Sequence, residues 1–489
     1  MPLRGPILIG DLVRRSRLSF WCLLGLIWAS QAWAALTATT IFEVQPTTGS
    51  NLNGGCYDNA FRGVGASIDY TYDAPQVFSF TDLTAAASTA LTTASNSFTA
   101  AMVGNCLHLE SAAAGTPGYI LIVAFVSAGE VTMEASRTIT TGVGKLGGAT
   151  ASYNGQTTTT LAASLVAGNI VYHKASGQTW NEAVTFSVVG SAAAFPIIVE
   201  GYNVTRGDTP TGTSRPTNAR GGAGTVGLNI TVAFYLLKNI VVSGAGTVGI
   251  QFTSNSVLQN VRSTGNGTIG FLGTFSNFLY NCESDLNTTV GVSFTSIGNT
   301  VLHSNIHNNT GAGFLSIANG INYYLSNIIA HNASHGVSYT TATPTPVLVN
   351  NTIDCNSSAA SCGSSAVDGV NIASGLGLYA QSVVLNNIFS NNGRDGFRKV
   401  TAGGVYSGVL MDYNDYFGNV GTSQTNAIAG THDTALNPGY ANAASGDYAI
   451  GMNLQALGIP GLFPAGTSMG YTDMGAIQRK SEDSFHVFP

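Results

Sequence analysis

Leu258-Gln259-Asn260 followed by Gly270-Phe271, Leu279-Tyr280-Asn281 followed by Gly291-Val292, and Leu302-His303-Ser304 followed by Gly313-Phe314 are three copies of one pattern. The pattern extends from Phe234 to about Gly418. A Gly-apolar pair recurs at Gly249-Ile250, Gly270-Phe271, Gly291-Val292, Gly313-Phe314, Gly336-Val337, Gly369-Val370 and Gly396-Phe397, in steps of 21, 21, 22, 23, 33 and 27 residues. A second column sets an apolar residue two places before an Asn, at Leu237/Asn239, Leu258/Asn260, Leu279/Asn281, Leu325/Asn327, Val349/Asn351 and Leu385/Asn387, with Leu302/Ser304 as the variant. A third column places Asn266, Asn287, Asn308, Asn332, Asn356 and Asn391 a few residues before each Gly. Three columns in phase define a solenoid.

Segments such as Val292-Ser293-Phe294 alternate apolar and polar with period two, the pattern of a strand with one buried face. Gly and Asn punctuate them, residues that tolerate left-handed backbone angles and turn a chain at low cost. A coil of about 22 residues therefore holds three short strands and three corners. Stacked coils pair in parallel about 4.8 Å apart, and equivalent side chains form ladders along the axis. An Asn ladder inside a corner satisfies its own amides by bonding to the Asn above and below. No coil buries its apolar face alone, so stability resides in the stack. A helical solenoid is excluded by composition, since Asn, Thr, Ser, Gly, Val, Ile and Phe dominate the repeats in place of Ala, Leu, Glu and Lys.

This Asn…Gly-apolar…Asn repeat resembles that of the right-handed parallel β-helix proteins of the pectate-lyase-like superfamily. Gly168 to Lys174, Asn181 to Val184 and Pro196 to Tyr202 are similar to the opening coils of such proteins, and Gly446 to Ile450 with Tyr471 to Ala476 is similar to their closing segment. The resemblance spans about residues 165 to 480. It implies an all-β fold, a right-handed parallel β-helix, and leaves activity open, because the superfamily holds lyases, hydrolases, epimerases, adhesins and viral spikes.

Arg14, Arg15 and Arg17 precede the apolar run Leu18 to Ala29, and Ala32-Trp33-Ala34 has the small-x-small form of a signal-peptidase site. Residues 1–34 thus read as an export signal and predict a secreted or cell-surface protein. Residues 35–160 lack the period. Ile41-Phe42-Glu43-Val44, Tyr119 to Val123 and Glu130 to Met133 read there as strands, and Gly49 to Gly55 as a Gly/Asn-rich opening, so we assign a small β-rich module that caps the helix. The helix and its closing segment take 161–480, and 481–489 form a tail. Segment 203 to 227, rich in Gly, Thr, Pro and Arg, reads as a long loop leaving the wall.

Charged residues make up 9% of the chain, against about 25% in an average domain. The net charge of −6 leaves no basic field for nucleic acid. Cys355 and Cys362 flank a Ser/Ala loop in the one lengthened coil and are expected to form a disulfide in an oxidising compartment. Cys56 with Cys106 is a weaker pairing, and Cys282 reads as a small buried hydrophobe.

Registering the coils by their Gly places His335, Asp368 and Asp395 in one column. Arg398 lies in the neighbouring outward column above Asn371 and Ser338, with Arg394 and Lys399 close by. In a chain this poor in charge the cluster is notable. Asp368 and Asp395 on successive coils, about 5 Å apart, suit general acid work. Arg394, Arg398 and Lys399 suit neutralising a uronate and taking its α-proton. His335, Asn371 and Tyr280 are candidate substrate-binding groups, Tyr280 by stacking on a sugar ring. His307 and His331, just before the corner Asn, are placed to stack as a metal-binding pair or a solvent-facing ladder, and Asp412-Tyr413-Asn414-Asp415-Tyr416 has oxygens spaced to hold calcium. Otherwise no cofactor is indicated.

The clustered aspartates with Arg of pectate lyases, and the three aspartates of polygalacturonase-like hydrolases, are not recognisable. The leading expectation is therefore a scaffold or adhesin that binds polysaccharide along its polar wall. A polysaccharide lyase or glycoside hydrolase is the alternative, and a phage spike or fibre the second, which the export signal opposes.

Overall fold

The structure is a computed structural model that describes residues 41–44 and, with short interruptions, 78–146 and 167–478. The export signal, the Gly49–Gly55 stretch and Cys56 lie outside the described residues. The chain forms three parallel sheets of 11, 10 and 10 strands, which each coil visits in turn, and a separate four-stranded antiparallel sheet. One coil illustrates the rest: Val257–Gln259 belongs to the first sheet, Arg262–Thr264 to the second and Ile269–Phe275 to the third.

Most strands of the stack are three residues long because only the middle residue faces the lumen. The first sheet stacks Leu237, Leu258, Leu279, Val301, Tyr324 and Leu348 inward, and the third stacks Ile250, Phe271, Val292, Phe314, Val337, Val370 and Phe397, all buried in one continuous core. Removing each such side chain from water stabilises the stack by roughly 1.5–3 kcal/mol, which offsets the entropy of ordering so many short segments.

Most corner residues stand where the sequence puts them, and some are displaced by one. The continuous amide ladder between the second and third sheets runs through Asn266, Asn287, Asn309, Asn332, Asn356, Asn392 and Asn419. Asn308 and Asn391, which the sequence pattern put in this column, sit one place earlier with left-handed φ of 53° and 52°. A second ladder, between the first and second sheets, is Ser304, Asn327, Asn351, Asn387 and Asn414. Asn239, Asn260 and Asn281 stand one place outside it, again at left-handed φ, and Cys282 occupies the ladder position, its N–H donating to Ser304 Oγ at 3.0 Å. Consecutive Asn, or Asn beside a substitute, made the two positions indistinguishable by residue type.

The repeated Gly also has a different cause from a left-handed turn. Gly336 has no positive φ, but a Cβ there would lie 2.6 Å from the Gly369 carbonyl oxygen and 2.7 Å from Ile353 Cγ2. The column is glycine because the corner folds tightly against the next coil.

β1 (Ile41–Val44), read from the sequence as part of the N-terminal module, pairs in parallel with residues 170–173 of the first sheet and is the first strand of that sheet among the described residues. The antiparallel sheet comes next in the chain, built of β2 (Phe78–Thr92), β3 (Cys106–Ala112), β4 (Gly118–Ser127) and β5 (Glu130–Leu146). It has its own core, with Phe80, Leu83, Leu91, Leu107, Ile120, Ile122 and Val131. The 203–227 segment is not one loop, since Thr217–Ala219 is a strand of the second sheet. Residues 207–216 lie against the helix corner, where Asn239 and Asn260 donate to the carbonyls of Asp208 and Pro210 at 3.3 and 2.9 Å. At the other end the closing segment packs Ile450, Leu454 and Met474 on Ile388. Cys355 and Cys362 are joined as a disulfide, with Cα atoms 4.7 Å apart.

Asn332 accepts from Asn309, and donates to Asn356 and to the Ile306 carbonyl. Asn332→Ala leaves several of these groups unpaired and is expected to lower stability by roughly 2–4 kcal/mol. Asn308→Gly, at a corner that needs only left-handed backbone, is expected to stay within about 0.5 kcal/mol. Urea unfolding of the two variants checks the ladder register.

Candidate functional site

Each coil enters the third sheet through a residue just before the repeated Gly, and at three successive coils this residue is His335, Asp368 and Asp395. The backbone stacks them: Gly336 N–H donates to the Asp368 carbonyl and Gly369 N–H to that of Asp395. Asp368 is fully buried. Arg394 clasps it with both ends of the guanidinium, Nε to Oδ1 at 2.7 Å and Nη2 to Oδ2 at 2.6 Å. The Asp368 N–H donates to His335 Nδ1 at 2.9 Å, so the neutral imidazole carries its proton on Nε2. Burial pushes the His335 imidazole below its ordinary 6.5, against the pull of Asp368.

Asp395 is equally well supplied. Its Oδ1 accepts from the Thr422 N–H and hydroxyl at 2.9 and 3.1 Å, and its Oδ2 from Thr425 Oγ1 at 2.7 Å and Arg398 Nη1 at 3.2 Å. Burial disfavours the ionised form, but these donors outweigh it and hold the carboxyl below 3.8. Arg394 and Arg398 keep 29% and 26% of their side chains exposed. Arg398 follows Asn371 and Ser338 in the outward column, and Arg398 Nε and Asn371 Oδ1 have no hydrogen-bond partner. The structure thus brings together six of the candidates: His335, Asp368, Asn371, Arg394, Asp395 and Arg398. Lys399, next to Arg398 on the strand, turns to the lumen beside Ile372 and is fully buried. Tyr280 is on the first sheet, its ring parallel to Phe278 and edge-on to His303, with centroids 6.4 and 6.0 Å away.

A second charged cluster escaped the sequence reading. On the outward face of the second sheet, Arg262 sits beside Glu283 and Thr264 beside Asp285 and His307. Arg262 grips Asp285 at 2.9 and 2.7 Å, Glu283 lies 3.3 Å from His307 Nε2, and the buried Arg215 reaches Glu283 at 3.4 Å from the 207–216 segment. Arg262, Arg215 and His307 already engage the two carboxylates. Burial disfavours ionisation of Glu283, but His307, Arg262 and Arg215 outweigh it and hold the group below 4.5. Registering the coils by this sheet as well as by the Gly column would have aligned Thr264, Asp285 and His307; Arg215 carries no such signal.

His307 is opposite Ala330, not His331, because the true ladder residue after it is Asn309. The Asp412–Tyr416 oxygens point to different neighbours: Asp412 to His432 at 2.8 Å, Asn414 into the inner ladder, and Asp415 to Thr434 at 2.7 Å. The thiol of Cys282, the free cysteine among the described residues, is pushed up to about 12 by burial.

No protein-family model and no curated protein sequence matches the chain. Among solved structures it is similar to pectate lyase Pel9A, at 14% identity over 67% of this chain and 95% of that one with a TM-score of 0.44. It is also similar to the periplasmic alginate epimerase AlgG, at 12% identity over 55% and 73% with a TM-score of 0.29, and to XylC in complex with xylose, at 10% identity over 82% and 87% with a TM-score of 0.32. The fold is a parallel β-helix. These likenesses concern the course of the backbone and carry no residue roles to this β-helix.

Arg262→Ala leaves Asp285, which is 2% exposed, with only Thr264 as a side-chain donor, and is expected to lower stability by roughly 2–3 kcal/mol in urea unfolding. The depressed Asp395 carboxyl contributes stability that is fully present above its ordinary value of 3.8 and is lost as pH falls through the lower folded value. Thermal unfolding followed downward from about pH 5 is therefore expected to show a smaller acid loss in Asp395→Asn than in the parent.

Proposed function

We infer that the protein is an exported β-helix that binds an acidic polysaccharide on the face of its third sheet, acting as a secreted or cell-surface scaffold or adhesin. The observation that carries this is the pair of half-exposed guanidinium groups, Arg394 and Arg398, anchored by the carboxylates of Asp368 and Asp395. The anchoring fixes the forks in place before a ligand arrives, which reduces the entropy lost on binding. Planar guanidinium groups match the geometry of a sugar carboxylate. His335 Nε2–H supplies a neutral donor on the same wall for a hydroxyl oxygen. Both aspartates are occupied by two or more donors each, which favours a structural role for them over general acid catalysis. The export signal read in the sequence supports an extracellular place of action.

The test is affinity electrophoresis of the protein through gels containing uronate-rich or neutral polysaccharide, with ultraviolet absorbance and reducing ends followed in parallel. Retention is expected in the uronate gel and no turnover in either channel. Arg398→Ala, which leaves Asp395 its two Thr partners, is expected to weaken binding about tenfold, or ~1.4 kcal/mol. Unchanged retention of Arg398→Ala would remove the basis of the assignment. A rise in ultraviolet absorbance that Arg398→Ala abolishes would replace the scaffold with a lyase.

A further inference from the structure

Beside the amide ladder between the second and third sheets each coil makes a left-handed turn, and on four successive coils the residue there is Asn308, His331, Cys355 and Asn391, with φ of 53°, 55°, 50° and 52°. Backbone bonds hold these residues one rung apart: the Asn308 N–H donates to the Ala330 carbonyl at 3.2 Å, that of His331 to the Asp354 carbonyl at 3.1 Å and that of Cys355 to the Ser390 carbonyl at 3.0 Å. His331 and Cys355 are therefore neighbours in one column, and Cys362 is bonded to Cys355. An imidazole nitrogen of His331 and the two sulfurs lie within 4.8 Å of one another. His331 Nε2 is buried without a hydrogen-bond partner. The turn itself does not call for histidine, because Asn308 and Asn391 make it with the same backbone angle.

Two sulfurs and an imidazole nitrogen are donors that zinc takes, with a fourth position left for water. We propose that Cys355, Cys362 and His331 form a redox-gated zinc site, closed to the ion while the disulfide stands and open to it on reduction. A dithiol reductant passes two electrons and two protons to the disulfide and becomes a disulfide itself. Zn2+ then displaces the two thiol protons to solvent and accepts the lone pair of the neutral imidazole. Zinc–sulfur and zinc–nitrogen bonds of about 2.3 and about 2.0 Å set tetrahedral donors roughly 3.5–3.8 Å apart. His331 and Cys355 are fixed by the rungs on either side, so the adjustment falls to Cys362, which lies in no strand. The ion closes the same loop as the disulfide. In both redox states the lengthened coil thus stays stapled ahead of Asp368 and the strand Val370–Ile372.

The test is a Co2+ titration of the full chain before and after reduction with a phosphine, which carries no thiol to compete for the metal. The reduced protein is expected to bind an equimolar amount of Co2+ with the visible bands and thiolate charge-transfer band of a tetrahedral ion, bleached by Zn2+, and the oxidised protein to show neither. His331→Asn, which places the residue of the neighbouring turns at this one, is expected to keep the parent's circular dichroism spectrum and to weaken Zn2+ by about tenfold in competition with a chromophoric chelator. Cys362→Ser, outside the strands, is expected to lose the tetrahedral spectrum although Cys282 and Cys355 remain. A reduced protein without that spectrum overturns the proposal. So does a spectrum that survives Cys362→Ser, or a Zn2+ affinity unchanged in His331→Asn.

Discussion

The vertical hydrogen bond between equivalent amides on successive coils is the interaction on which the rest of this structure depends. Asn309, Asn332 and Asn356 each donate to the next Asn and to a backbone carbonyl, and accept from the coil before. A tight corner between three-residue strands leaves backbone groups pointing into the protein with no ladder partner. The Asn side chains supply those partners at a spacing equal to the rise between strands. Along the middle of the stack most coils present Asn, or Ser304, at the same place, while Ala245, Ile240, Val261 and Cys282 stand at the ladder positions of the first coils, and the hydrophobic columns stay in register with the ladders. The aligned columns allow aromatic and aliphatic residues to stack to full burial although no strand is longer than a few residues.

The same stacking governs charge. An ionisable side chain on the wall of a β-helix meets its neighbours one rung away, so opposite charges on adjacent rungs neutralise each other at hydrogen-bond distance. Arg262 with Asp285, and Arg394 with Asp368, follow this rule. In a chain with so few charges the two clusters are local exceptions to a neutral wall. The three guanidinium groups are exposed to a similar degree, Arg262 30%, Arg394 29% and Arg398 26%. The clusters differ in what they tie together: Arg215 joins Glu283 of the second sheet to an irregular segment, whereas Arg394 and Arg398 each hold an aspartate of the column that enters the third sheet.

Parallel stacking leaves the last strand of the second sheet in need of a partner, which Thr434 supplies by bridging Asp415 and accepting from the Tyr416 N–H at 2.9 Å. The rest of the closing segment lies along the wall, with Ile450, Leu454 and Met474 on Ile388 and Tyr448 reaching Asp354 at 3.3 Å. Burial raises the Asp354 carboxyl above its ordinary value despite donors from Ser390, Asn391 and Tyr448, so this closure gains from protonation where the Asp395 corner loses.

Periodicity by itself determined that the chain is a parallel β-helix, which residues form its walls, and where the one lengthened coil lies, because apolar residues and corner amides must recur once per coil whatever the exact packing. It also placed His335, Asp368 and Asp395 in one column, since all three precede the same Gly. Tertiary structure alone decided which of two adjacent Asn enters the ladder, because Asn308 and Asn309 are chemically identical and only backbone angle separates them. It decided that the repeated Gly answers crowding by the next coil, that Ile41–Val44 joins a strand more than a hundred residues away, and that Lys399 faces the lumen while Arg398 faces outward. Arg215 shows the limit most plainly. Its partner Glu283 is 68 positions distant, and a contact made by an irregular segment folded across several coils leaves no period in the sequence to read.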